Sequence, residues 1–477
     1  IRSHHMPESK NKLARTLPAV DAILQLPTTA DLIAHFGKQA VTVAIRTIIG
    51  QARKDIMLAR TTDDDACGVS AIAGLVRQRL IDSEHLNLRR VVNATGIILH
   101  TGLGRAMMPE AARAELSVTS GYCNLQQDLQ TGRRDRREDC IVDIVKELTG
   151  AEDVLVVNNN AGATFLTLAA LARGKEVVIS RGELIEIGGS FRLPDIMQES
   201  GAVLREVGTT NKTHLKDYEN AVGTKTAMIL KAHKSNYRIV GFTKEVGIAE
   251  IVKVGRKHGV PVVDDLGCGA LVGLELFGLE HECTVRESLE AGADVALFST
   301  DKLIGGPQGG MIVGRAAQLE KIRAHPLYRI LRVCKLTLGA LEATLRLFRA
   351  PDLLAKSHPV YRMIAKTMPE MESQANDLIA AIAKLKPEWK VEQSREVSYL
   401  GGGALPETEM PSFAIRIRAP GLAADELALA FRMAETPVIP RVADGCVILD
   451  MRTIFPEDAG EILRAIDHIG TSVEQTT

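Results

Sequence analysis

Val295-Ala296-Leu297-Phe298-Ser299-Thr300-Asp301-Lys302-Leu303-Ile304-Gly305-Gly306-Pro307-Gln308-Gly309-Gly310 is the stretch on which the fold turns. Its first four residues read as an apolar strand buried on both faces, and the glycines that follow read as a tight turn. In an open parallel sheet, ligands bind just beyond the carboxyl ends of the strands. Lys302 therefore stands where a covalent amine in a crevice would stand. A lysine in a plain surface turn is the alternative, and the stretch alone leaves both open.

Working outward, short apolar runs recur at Val154–Val157, Val177–Ile179, Met228–Leu230, Pro261–Val263 and Met311–Val313. Helical segments lie between several of them: Ile141, Ile144, Val145 and Leu148 share one helix face, and Ala161 to Ala172 is a small-residue helix. Apolar strands separated by helices predict an α/β domain with a mostly parallel central sheet covered on both faces. From Leu13 to Val91 the pattern is helical, with Asp31 opening one stretch that runs through Ile49. After about Leu336 a long helical stretch leads to strand candidates at Ser412–Ile417 and Cys446–Met451 and a closing helix from about Pro456, the pattern of a small α+β domain.

The boundaries expected from these shifts are a cloning scar over 1–5, a helical domain over 6–68, a linker over 69–92, a large catalytic domain over 93–335 and a small domain over 336–477. The 477 residues, 45% hydrophobic and 25% charged, exclude a fibrous chain and wholesale disorder. The net charge of −1 gives no global sign of a nucleic-acid binder. Between 6 and 80, ten Lys or Arg stand against seven Asp or Glu, an excess that a solvated helix surface or an RNA contact would explain. Seven scattered cysteines without a C-x-x-C pair argue against a disulfide framework or a zinc site and for a reducing cytoplasm. No histidine pair has metal-ligand spacing outside the opening residues, so no metal is expected. Trp389 reads as a packing residue. No apolar run is long enough to span a bilayer.

Two more strand ends carry polar residues. Val154–Val157 leads into Asn158-Asn159-Asn160-Ala161-Gly162, where small residues and a helix N-terminus suit a phosphate, although an ordinary Asn cap would look the same. Pro261–Val263 leads into Asp264-Asp265-Leu266-Gly267-Cys268-Gly269, and acidic groups at a buried strand end are costly unless paired or functional. A phosphate cradle, a strand-end aspartate and a strand-end lysine, in that chain order, are what pyridoxal phosphate (PLP) enzymes of the aspartate-aminotransferase fold require.

Longer strings sharpen this. R-V-V-N-A-T-G-I-I-L-H-T-G-L-G-R at Arg90–Arg105, V-N-N-N-A at Val157–Ala161, S-R-G-E-L-I-E-I-G-G at Ser180–Gly189 and V-G-T-T-N-K-T-H at Val207–His214 closely resemble the bacterial selenocysteine synthases, the L-seryl-tRNA(Sec) selenium transferases. So do Lys231–Tyr237, D-K-L-I-G-G-P-Q at Asp301–Gln308 and H-P-L-Y-R-I-L-R at His325–Arg332.

The resemblance implies the type I fold of PLP-dependent transferases, with a helical N-terminal domain that grips tRNA. It implies conversion of seryl-tRNA(Sec) to selenocysteinyl-tRNA(Sec) through a dehydroalanyl intermediate, with selenophosphate as donor, in a cytoplasmic decamer of five dimers. Lys302 then matches the Schiff-base lysine, Asp265 the partner of the pyridine nitrogen, and Asn159, Asn160 and Ala161 the phosphate-binding turn. His233 falls close to the cofactor, and Asp301 matches a residue implicated in catalysis. Arg105, Arg329 and Arg332 match arginines that hold the donor's phosphate. Arg329 and Arg332, three apart, would share a face if helical. Arg133–Arg137 would contact tRNA or a neighbouring subunit, or form a solvated helix entry. Cys268 stands where the family often has Ser, and Gly102 where it often has Asn. Two other readings stay open: a PLP-dependent β-eliminating lyase for a small phosphorylated amino sugar or amino acid, and a non-catalytic tRNA-binding relative. Lyases of that kind tend to lack the helical N-terminal region.

Overall fold

A computed structural model describes residues 16–58, 67–84, 86–188, 191–405 and 408–469, so the scar reading at 1–5 lies outside the described residues. The chain divides into two compact units, Ile1–Arg90 and Val91–Thr477.

In the first unit, helices Val20–Leu24, Pro27–Phe36, Lys38–Met57 and Val69–Glu84 close around Ile23, Val41, Ile45, Ile49, Ile72, Val76 and Leu80. The single stretch expected from Asp31 to Ile49 is two helices, because Gly37 between them adopts a φ of 82° that an L-residue rarely takes. The linker expected over 69–92 needs correcting as well. Ile72, Val76 and Leu80 recur every four residues, so Val69–Glu84 is a helix with one face in this core.

The second unit carries fifteen strands among the described residues. Strands β1 (Val92–Ala94) and β2 (Ile97–Leu99) are followed by β3 (Asp153–Val157), β4 (Glu176–Ser180), β5 (Glu186–Ile187), β6 (Phe191–Arg192), β7 (Val203–Val207) and β8 (Thr226–Ala232). Then come β9 (Val262–Gly267), β10 (Val295–Ser299), β11 (Gly310–Gly314), β12 (Lys390–Gly401), β13 (Glu409–Arg418), β14 (Val438–Ala443) and β15 (Cys446–Asp450). The central sheet runs β3-β11-β10-β9-β8-β4-β7, parallel except for β11. Every residue of β3, β10 and β11 is buried, as a sheet covered on both faces demands.

The second sheet runs β1-β14-β15-β13-β12-β2. Residues 92–99 thus supply both its edges, pairing parallel with β14 and β12. The boundary expected at 93 therefore falls inside this sheet's own strands. Nor does packing divide at 335: Leu338, Leu341, Leu345, Val360 and Ile364 join the same core as Val154, Ala296 and Met311. Trp389 packs against the core of the second sheet.

Two close approaches shape the site end of the central sheet. A Cβ on Gly310 would lie 2.2 Å from the Asn159 carbonyl oxygen, so only glycine lets β11 pass this turn. Gly305 has φ 67°, and a Cβ there would meet the buried His358 ring at 2.1 Å.

Candidate active site

The ends of β3, β8, β9 and β10 open on one cavity of about 390 Å³. Asn159, Asn160, Ala161, His233, Asp265, Asp301, Lys302 and Arg105 all line it.

Lys302 sits three residues past β10, its side chain nearly buried. The loop that holds it closes on itself: Thr300 Oγ1 donates to the Pro307 carbonyl at 2.5 Å, and the Gly305 N–H donates to the Lys302 carbonyl at 2.9 Å. His358 Nε2 holds the Ile304 carbonyl from beneath at 2.9 Å. Burial pushes the Lys302 amine below its ordinary range; Arg105 pushes the same way, while the Asp301 and Asp265 carboxylates oppose. A lysine shifted in that direction is a better nucleophile near neutral pH.

Asp265 lies inside β9, which extends past the expected end at Val263 because Ala232 and Leu297 pair with Asp265 on either side. Burial pushes its carboxyl up. Asn160 Nδ2 at 2.8 Å, Thr164 Oγ1 at 2.7 Å and the Gly267 N–H at 3.1 Å oppose that by donating to it. The Asn159 side chain caps the helix Asn160–Ala172, accepting from the Gly162 N–H at 2.7 Å. Of the expected phosphate turn, then, Asn159 is a helix cap and Asn160 turns its side chain to Asp265, which leaves the backbone at Ala161 and the helix N-terminus facing the cavity. The His233 N–H donates to the Asp265 carbonyl at 2.9 Å, fixing that segment to β9.

Arg105 has φ 64°, costly for a residue with a Cβ. Its guanidinium lies 2.6 Å from Asp301 Oδ2, and the carboxylate is almost buried. The shared helix face expected for Arg329 and Arg332 needs correcting. The helix that carries Arg329 is Pro326–Ile330, and Arg332 lies beyond its end, bridged to Val157. They share no helix face; both are exposed and neither lines the cavity. In the basic run, Arg136 pairs with Asp139 at 3.2 Å, and Arg137 donates to the Val333 carbonyl at 2.9 Å.

Two residues of the site escaped the sequence reading. Thr164 reaches Asp265 from one turn into the helix, and its signal was its place four residues after Asn160. Glu282 is a buried carboxylate beside Cys268 and His233, from a polar loop with no signal of its own.

The family model described as L-seryl-tRNA selenium transferase matches residues 91–455, and the model described as selenocysteine synthase N terminal matches residues 14–53. The chain belongs to the L-seryl-tRNA selenium transferase family. The L-seryl-tRNA(Sec) selenium transferase of Moorella thermoacetica is 46% identical over 461 residues, covering 96% of this chain and 97% of the relative. That of Geobacter sulfurreducens is 42% identical, covering 95% and 99%. Among solved structures, the D-glucosaminate-6-phosphate ammonia-lyase is similar with a TM-score of 0.57 at 18% identity, covering 84% of this chain and 99% of the lyase. That likeness shows a shared fold. No helix among the described residues is long and apolar enough to cross a membrane.

Proposed function

We propose that this chain converts L-seryl-tRNA(Sec) to L-selenocysteinyl-tRNA(Sec), with pyridoxal 5'-phosphate as cofactor and selenophosphate as selenium donor. One observation carries the reading: Lys302, Asp265 and His233 converge on one strand-end cavity in a chain that named transferases match over 96% of its length.

The residues present fit that cofactor. Lys302 offers a buried amine for its aldehyde, and Asp265 a buried carboxylate for a protonated pyridine nitrogen. Asn160 Oδ1 and His233 Nδ1 are buried in the cavity wall without a hydrogen-bond partner among the described residues, as polar atoms awaiting a ligand would be. The helix N-terminus at Ala161 suits the phosphate. When bound, the cofactor supplies an electron sink that lets the seryl group lose its Cα proton and then its hydroxyl.

The chain's own groups then divide the work. Lys302 takes the Cα proton and later returns it to Cα. Asp301 holds Arg105 by one guanidinium nitrogen, and Arg105, which lines the cavity, binds the donor's phosphate there. Thr164 and Asn160 keep Asp265 aimed into the cavity. The helical first unit grips the tRNA, and the cytoplasm is where that tRNA is charged and used. The chain assembles as a decamer of five dimers, as the family resemblance implies, and exposed Arg329 and Arg332 join Arg105 in holding the donor's phosphate.

The test is single-turnover conversion of seryl-tRNA(Sec) with selenophosphate, against seryl-tRNA(Ser). Selenocysteine from the Sec tRNA alone is the expected result. No reaction with either RNA, from protein that carries its cofactor, would overturn the reading in favour of a small-molecule lyase.

A further inference from the structure

His233 follows β8 and Cys268 follows β9, and their side chains meet at one carboxylate. Cys268 Sγ donates to Glu282 Oε1 at 3.1 Å, and His233 Nε2 lies 3.4 Å from the same oxygen. Glu282 is 5% exposed, and among the described residues no Lys or Arg pairs with it. It does not line the cofactor cavity. It lines a second cavity of about 310 Å³ behind it, and His233 belongs to the walls of both.

A carboxylate facing one imidazole nitrogen places a proton on that nitrogen and decides the role of the other. We infer that Glu282 is a positioning residue: from behind the site it holds the Nε2–H of His233, and so fixes the ring and the nitrogen, Nδ1, that His233 presents. Cys268 completes the arrangement. Burial first, and then Glu282 itself, push its thiol well above the ordinary range, so it stays an S–H donor to the carboxylate.

The inference rests on the cofactor reading above, and the experiment separates the two. Wild type, Glu282→Gln, Glu282→Asp, His233→Gln and the Glu282→Gln/His233→Gln double variant are titrated with pyridoxal phosphate. Kd and the maximum of the bound cofactor's visible band are recorded. Glu282→Gln should raise Kd about tenfold and move the band, with Glu282→Asp in between. In the His233→Gln background, Glu282→Gln should change Kd by less than about twofold, because its effect passes through the ring. Wild-type Kd and band in Glu282→Gln, or effects that multiply independently in the double variant, would overturn the inference alone. If Glu282→Gln does not fold, the Glu282→Asp and His233→Gln pair is judged by the same rule. Absence of any band in the wild type would overturn the cofactor reading and this inference with it.

Discussion

Lys302 and His358 show how much single residues are asked to do. In the proposed function the Lys302 amine is both the anchor for the cofactor's aldehyde and the proton carrier at Cα, and among the described residues no other lysine lines the cavity. Lys302→Ala should therefore abolish turnover in the single-turnover assay, while a filter-binding measurement still shows tRNA bound. His358 works from underneath, fully buried against the Phe348 and Tyr361 rings, and burial lowers its imidazole from 6.5 to about 4. Between those values the folded chain binds fewer protons than the unfolded one. The neutral ring's contribution is thus complete above the unfolded value and is lost as pH falls toward the folded one, by about 3 kcal/mol for this group. His358→Gln keeps an N–H for the Ile304 carbonyl but does not titrate. In urea unfolding, the variant's deficit against wild type should shrink between about pH 7 and about pH 5; an unchanged deficit would refute the assignment. Lys302 and Asp265 were legible in the sequence because a strand's end announces itself by an apolar run that stops. Thr164 and Glu282 were not, since each acts on a residue far away in sequence, Asp265 and His233, and only the fold brings them together.

At the scale of elements, the same distinction holds for strands. Those buried on both faces, such as β3, β10 and β11, show as unbroken apolar runs. Strand β7, V-L-R-E-V, sits at the sheet edge with Arg205 and Glu206 exposed, so its sequence lacks the apolar signature. Strands β1 and β2 are three residues each and read as part of a motif, not as the two edges of a distant sheet. Where elements meet at the site, spacing is tight. In Gly310→Ala the new methyl would need the Asn159 carbonyl to withdraw, yet Gly310 is also held between Ser299 and Val157 by the register of β11. The expected cost is about 1–3 kcal/mol of stability, the usual range for overpacking. Because the strain falls on the turn that starts the helix Asn160–Ala172, cofactor affinity should weaken with it. Calorimetry and a pyridoxal phosphate titration on one preparation check both; a lower Tm with unchanged affinity would show that the turn is not part of the cofactor's cradle.

For the whole molecule, the division of labour follows from where the site residues lie. Among the described residues, every one lining the cofactor cavity falls between Thr101 and Gln308, within the second unit. That unit has its own cores, one of which joins β3 and β10 to the helices Lys335–Leu347 and Pro359–Ala365. The first unit closes a separate small core, and its helices leave Val43, Leu75 and Ile81 exposed. If the second unit is the chemistry and the first the grip on RNA, cutting between them should separate the two functions. A fragment over 91–477 is expected to bind pyridoxal phosphate with wild-type affinity and to show the same visible band. It should lose most of its affinity for seryl-tRNA(Sec) and, with it, turnover at low tRNA concentration. Binding measured across a salt series is the discriminating observation. Affinity for RNA is largely phosphate neutralisation, so removing the unit that grips the tRNA should flatten the dependence of log K on log salt as well as lower K. A fragment that kept the full slope and affinity would place the tRNA contact on the catalytic unit instead. Arg133 and Arg134, exposed and without an ion-pair partner within 4 Å among the described residues, would then be the first positions to substitute.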